Sequence, residues 1–177
     1  MKREGKHILI VVFYLDGTDP GVLIAADVAE GETEIQLYMT SVLATCPETK
    51  FVLFSYSFGT FAQVLALNNP TIPGFAISAI IYYGSAFWHP GKPENRGTAT
   101  KGTSLAGNYS IATPAIYEPI TADYCLYGDY LCTGTNVGDA HHKYLDSKWQ
   151  TDAINFAVGR LKKDGIVESI VDTLTGE

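Results

Sequence analysis

The run Phe51-Val52-Leu53-Phe54-Ser55-Tyr56-Ser57-Phe58-Gly59-Thr60 changes character at its middle. Lys50 to Phe54 ends in four consecutive apolar residues, the pattern of a short strand covered on both faces. From Phe58 to Asn68, residues Phe61, Val64, Leu65 and Ala66 are available to the buried side of a helix, which Asn69-Pro70 ends. A serine between strand and helix, with small residues two positions to either side, is the pattern of a nucleophile elbow. The tight turn lifts the hydroxyl above the sheet, and the small neighbours let two backbones approach. Gly59 meets that need, while Ser55 stands where a first glycine is usual. The competing reading is that Ser57 caps the helix that follows.

Strands and helices alternate on both sides of this run. Ile8 to Tyr14, rich in branched and aromatic residues, reads as a buried strand, and Gly17-Thr18-Asp19-Pro20-Gly21 as the loop that ends it. Val22 to Glu30 fits either a short strand or a helical turn. Glu32 to Cys46 reads as a helix whose stripe is Ile35, Tyr38, Met39, Val42 and Leu43, stopped by Pro47. Ala76 to Tyr83 supplies another strand, closed by Gly84. Ser85 to Thr113 reads as a long surface loop, Ile120 to Cys125 as the last strand, and Asp146 to Arg160 as the closing helix. Trp149, Ala153, Phe156 and Ala157 form that helix's apolar side. The alternation predicts a three-layer α/β fold around a small, mainly parallel sheet. The expected organisation is one domain over residues 1–177, with its core over about 8–162.

A serine hydroxyl needs a base to take its proton. Of four histidines, His7 at the mouth of the first strand reads as structural, and His89 lies in the long loop. His141 and His142 lie between the last strand and the closing helix, with Asp129 before them. The order Ser57, Asp129, His141 is that of nucleophile, acid and base in α/β-hydrolases. His142 is the alternative base. Cys125 and Cys132 enclose Asp129; a bridge would hold that loop, and two free thiols are the other reading. The spacing does not suit a zinc knuckle, so neither metal nor organic cofactor is expected.

The chain carries 12 basic and 19 acidic residues, a net charge of −7, which disfavours phosphate neutralisation and hence nucleic acid as a partner. The apolar run from Ile8 is too short to cross a bilayer. Glu4 within the basic start, Asp16 soon after the apolar run, and the lack of a small-x-small cleavage site argue against a signal peptide here. A monomer acting on a small or neutral substrate is expected.

The block Cys125-Leu126-Tyr127-Gly128-Asp129-Tyr130-Leu131-Cys132, the elbow Tyr56-Ser57-Phe58-Gly59 and His141-His142-Lys143-Tyr144 together resemble the cutinase family, which includes acetylxylan esterases. Asn95 to Lys101 also looks like a loop of cutinase-like proteins. The resemblance implies a Cys125–Cys132 disulfide around the catalytic acid Asp129, and His141 as base because a tyrosine follows it by three. It implies an oxyanion hole built from the N–H groups of Phe58 and Thr18, the latter in Leu15-Asp16-Gly17-Thr18. It also implies secretion of the full-length form and an ester substrate, including plant cell-wall polymer. The interval from Thr18 to Ser57 is shorter than the family's by about a strand and a helix, and Cys46 lacks its usual partner. The expected function is a cutinase-like serine carboxylic-ester hydrolase acting on aliphatic or polymer-linked esters. The alternatives are an acetylxylan esterase, and an inactive hydrolase-like binding protein or truncated gene product. Tyr82, Tyr83, Phe87 and Trp88 are candidates to line the substrate site, the first two also for the core.

Overall fold

The structure, a computed structural model, describes residues 8–13, 24–69 and 71–166. Its elements in chain order are β1 (Ile8–Phe13), α1 (Ile24–Thr45), β2 (Lys50–Tyr56), α2 (Gly59–Asn68), β3 (Ile77–Tyr83), β4 (Asn95–Gly97), β5 (Thr121–Cys125), α3 (Tyr130–Thr133) and α4 (Lys148–Lys163). The five strands form one sheet in the order β1-β2-β3-β5-β4, and every neighbouring pair is parallel. All carboxyl ends therefore lie along one edge, where ligand sites of open parallel sheets gather.

Side chains alternate along β2 and, from Ala79 on, along β3, and the two faces have different cover. Phe51, Leu53, Ile80 and Tyr82 pack with Ile35 and Met39 of α1 and Ala62, Val64 and Ala66 of α2. Val52, Ala79, Ile81, Tyr83, Ala122 and Tyr124 pack on the other face with Ala153, Ala157 and Leu161 of α4. All seven residues of β3 are buried, as expected for a central strand with helices on both sides. These are the three layers that the alternation predicts.

Helix α4 has conventional ends. Ser147 caps it, accepting from the Trp149 N–H at 3.2 Å, and Arg160, Lys162 and Lys163 complement the dipole in its last turn. Helix α1 begins before the expected Glu32, so the ambiguous stretch from Ile24 to Glu30 is helical. Its buried stripe is Val28, Ile35 and Met39, with Val42 and Leu43 partly buried. Tyr38, expected on that stripe, falls at its rim and is 46% exposed.

The expected long loop contains β4, which pairs Asn95, Arg96 and Gly97 with Asp123, Tyr124 and Cys125. Gly97 has φ +99°, and a Cβ there would meet the Cys125 carbonyl oxygen at 2.2 Å, so this edge strand requires glycine. His7, Tyr14, Thr18, Pro70 and the tail beyond Ile166 lie outside the described residues.

Candidate active site

Ser57 follows β2 directly and has φ 58°, a left-handed conformation uncommon in a non-glycine residue. The turn is fixed from both sides. The Ser57 N–H donates to Tyr83 O at the end of β3 (3.0 Å), and the Ser57 carbonyl accepts from Thr60 N (3.1 Å) and Thr60 Oγ1 (2.7 Å). The N-cap position of α2 is Phe58 and has no side-chain cap. Ser57 Oγ instead meets His141 Nε2 at 2.9 Å, so the capping alternative does not describe this hydroxyl.

His141 Nδ1 lies 2.9 Å from Asp129 Oδ1. An ionised carboxylate only accepts, so Nδ1 carries the proton and the Nε2 lone pair faces the serine hydroxyl. Asp129 is fully buried. It follows β5 and caps α3, taking the Leu131 N–H on Oδ1 (2.9 Å) and the Tyr144 hydroxyl on Oδ2 (2.5 Å). The Tyr144 hydroxyl accepts in turn from Leu126 N at 3.1 Å. Burial first, then the adjacent Asp129 carboxylate, push the Tyr144 phenol far above its ordinary pKa and hold it as a donor.

The His141 ring stacks on Tyr56, with centroids 4.9 Å apart, and the Tyr56 hydroxyl donates to the His141 carbonyl at 2.9 Å. His142 goes elsewhere. Its Nδ1 pairs with Asp139 Oδ1 at 2.5 Å on a side where both side chains are largely exposed. That pairing, ahead of other causes, lowers the Asp139 pKa.

The loop bearing Asp129 is closed by the Cys125–Cys132 disulfide, with Cα atoms 6.0 Å apart. Trp88, offered by sequence as a substrate-lining residue, is buried against this bridge instead. Tyr82 and Tyr83 are core residues on opposite faces of β3. Phe87 is also buried and packs edge-on to Phe61, which stacks with Phe58. His89 lines a small cavity with Phe87, Lys92, Glu94 and Asp123, apart from the serine. Cys46 is a free, half-buried thiol. Thr18, expected as an oxyanion donor, is outside the described residues. Among the described residues no three His, Cys, Asp or Glu side chains gather in a way that would hold a metal, and no helix is long and apolar enough to cross a membrane.

Two contributors escaped sequence reading. Gly84, at the end of β3, has φ +61°; a Cβ there would lie 2.5 Å from Asp129 Oδ2 and 3.0 Å from the His141 ring. Tyr144 entered only as a marker for His141, whereas its hydroxyl lies on the carboxylate. The one local signal for Gly84 was a glycine closing a buried strand.

Parallel strands between helical layers, with a serine, a histidine and a carboxylate in a row at their carboxyl edge, define an α/β-hydrolase-like fold. The family model described as Cutinase matches residues 4–161, and the chain belongs to the cutinase family. Among curated relatives, it is 26% identical over 155 residues to a cutinase from Kineococcus radiotolerans, covering 79% of this chain and 46% of that protein. It is 28% identical over 141 residues to carboxylesterase Culp1 from Mycobacterium tuberculosis, covering 79% of this chain and 60% of the relative. The chain thus spans roughly half the length of these relatives. Among solved structures, a cutinase-like protein from Cryptococcus sp. superposes with a TM-score of 0.70 at 20% identity, covering 88% of this chain and 95% of that one. The catalytic core domain of an acetylxylan esterase from Trichoderma reesei gives 0.66 at 24% identity, covering 80% and 75%. These last two likenesses concern the fold.

Proposed function

We propose that this chain is a serine carboxylic-ester hydrolase in which Ser57 forms a covalent acyl-enzyme. The observation that carries the reading is the bridging imidazole, with Nε2 at 2.9 Å from Ser57 Oγ and Nδ1 at 2.9 Å from Asp129 Oδ1. His141 Nε2 takes the hydroxyl proton as Oγ bonds to the ester carbonyl carbon, and Asp129 holds the ring tautomer and stabilises its positive charge. The oxyanion is assigned to the N–H of Phe58, at the start of α2, and to Thr18. His141 then gives its proton to the departing alcohol. A water gives a proton to the same nitrogen as its oxygen attacks the acyl carbon; His141 then returns that proton to Ser57 Oγ as the acyl–Oγ bond breaks, releasing the carboxylic acid and free Ser57.

Aliphatic or polymer-linked esters are the proposed substrates, in keeping with family membership and with relatives named cutinase and carboxylesterase. An oxidising, extracytoplasmic setting suits the Cys125–Cys132 bridge. The test is hydrolysis of an ester series from acetyl to long acyl chains by folded, oxidised protein, with Ser57→Ala as control. Turnover should fall about 10³-fold or more in the variant, and a serine-reactive phosphonate should label only the wild type. A preference confined to acetyl esters would move the assignment to acetylxylan esterase. Absence of Ser57-dependent turnover and labelling would leave a hydrolase-like binding protein.

A further inference from the structure

We infer that Tyr144 is a positioning residue that sets the basicity of His141 through Asp129, an inference that rests on the esterase reading for its kinetic consequences only. The Tyr144 hydroxyl accepts from Leu126 N (3.1 Å) and lies 2.5 Å from Asp129 Oδ2. With one lone pair held by an amide, its proton is directed at the carboxylate. It also touches Cys132 Sγ at 3.8 Å, a packing contact, since a bridged sulfur has no proton to share. Tyr144 itself is fully buried among Tyr56, Tyr83 and Leu126.

The carboxylate therefore divides its two oxygens. Oδ1 serves His141 and the cap of α3, and Oδ2 serves Tyr144. The phenol withdraws charge from Asp129 and prevents the carboxylate from turning. Without that hydroxyl, more negative charge would face Nδ1, the imidazolium would be favoured, and the pKa of His141 would rise. The Tyr56 ring stacks on His141; the titratable groups around the pair are His142, Asp139 and Lys143 on the solvent side of His141, and the buried Asp123 of β5, which acts on both Asp129 and Tyr144. None of these touches Oδ2 of Asp129, so the effect of Tyr144 is separable from theirs.

The experiment is an NMR titration of the His141 ring in the full oxidised chain, in a Ser57→Ala background that needs no turnover. Adding Tyr144→Phe should raise the His141 pKa by about half a unit or more. A site-specifically incorporated 3-fluorotyrosine at position 144, a more acidic phenol of nearly the same shape, should lower it. With Ser57 restored, Tyr144→Phe should cut kcat about tenfold at neutral pH, leave KM within about twofold, and move the acid limb of the pH profile upward. A His141 pKa that stays put in both variants, even with a lowered melting temperature, overturns the inference and leaves Tyr144 as packing alone. The fluorinated variant decides if Tyr144→Phe does not fold. Wild-type protein without Ser57-dependent turnover would defeat the esterase reading, while the titration would still judge Tyr144.

Discussion

A methyl group at position 84 would have no room. It would fall 2.5 Å from Asp129 Oδ2 and 3.0 Å from His141, on a backbone with φ +61° that disfavours any L side chain. Gly84→Ala should therefore push Asp129 and His141 out of line with Ser57 and, on the proposed esterase reading, lower kcat/KM by about 100-fold. Circular dichroism would show whether the fold survives; near-normal activity in the folded variant would mean that this close approach does not constrain the site. The neighbouring histidines make the complementary case. His141→Ala should lose about 10³-fold or more in turnover, and His142→Ala should stay within a few-fold, because only His141 faces Ser57. At this scale the sequence was partly legible. Chain order offered Ser57, Asp129 and His141 as a set, and the resemblance to the cutinase family is what tied Asp129 to its place in the cysteine loop. His141 and His142 could not be separated by local chemistry, since what distinguishes them is the Tyr56 ring, 85 positions away along the chain in its bond to the His141 carbonyl.

The short segment from Cys125 to Thr133 performs several tasks at once. It ends β5, closes the disulfide, starts α3 and presents Asp129. In the chain-entropy account, a bridge across so short a loop contributes about 2.5 kcal/mol. The paired substitution of Cys125 and Cys132 by serine should lower unfolding free energy by about that amount, measured by urea titration. Activity should fall more than the stability loss explains, because α3 and the carboxylate would gain freedom together. Equal activity in folded, reduced and oxidised protein would count against a positioning role for the bridge. Elements with a strong internal pattern, such as β2, β3 and α4, were readable from sequence. Strand β4 was not: Asn95-Arg96-Gly97 has no apolar alternation, and it is a strand because β5 offers an edge that accepts it. The first turns of α1 were ambiguous for a related reason, since their stripe becomes evident only once Val28 lines up with Ile35 and Met39 against the sheet.

Across the molecule, burial holds several acidic groups in their protonated form. Desolvation, reinforced by Glu94 and Asp129, raises the Asp123 carboxyl well above its ordinary value of 3.8. Its Oδ1 has no hydrogen-bond partner among the described residues. Burial likewise pushes Tyr83 up to about 12, and Tyr82, Tyr124 and Tyr144 further still, from an ordinary 10.0. The sign is the same in each case. An acid whose pKa is raised by folding binds its proton more tightly in the folded chain, so stability declines once pH exceeds the unfolded value. For Asp123 that decline begins near pH 3.8, and for the tyrosines near pH 10.0. Melting temperature should therefore drop steeply above about pH 10, with phenolate absorbance appearing together with loss of structure because these phenols must leave the interior to ionise. Asp123→Asn should melt higher than wild type at pH 7 and lose that advantage as pH falls below 4, where the native carboxyl is neutral in both states. Differential scanning calorimetry from pH 3 to 11 reads both limbs. An advantage for Asp123→Asn that persists unchanged at pH 3 would show that shape or hydrogen bonding, rather than the cost of a buried charge, governs this side of the sheet.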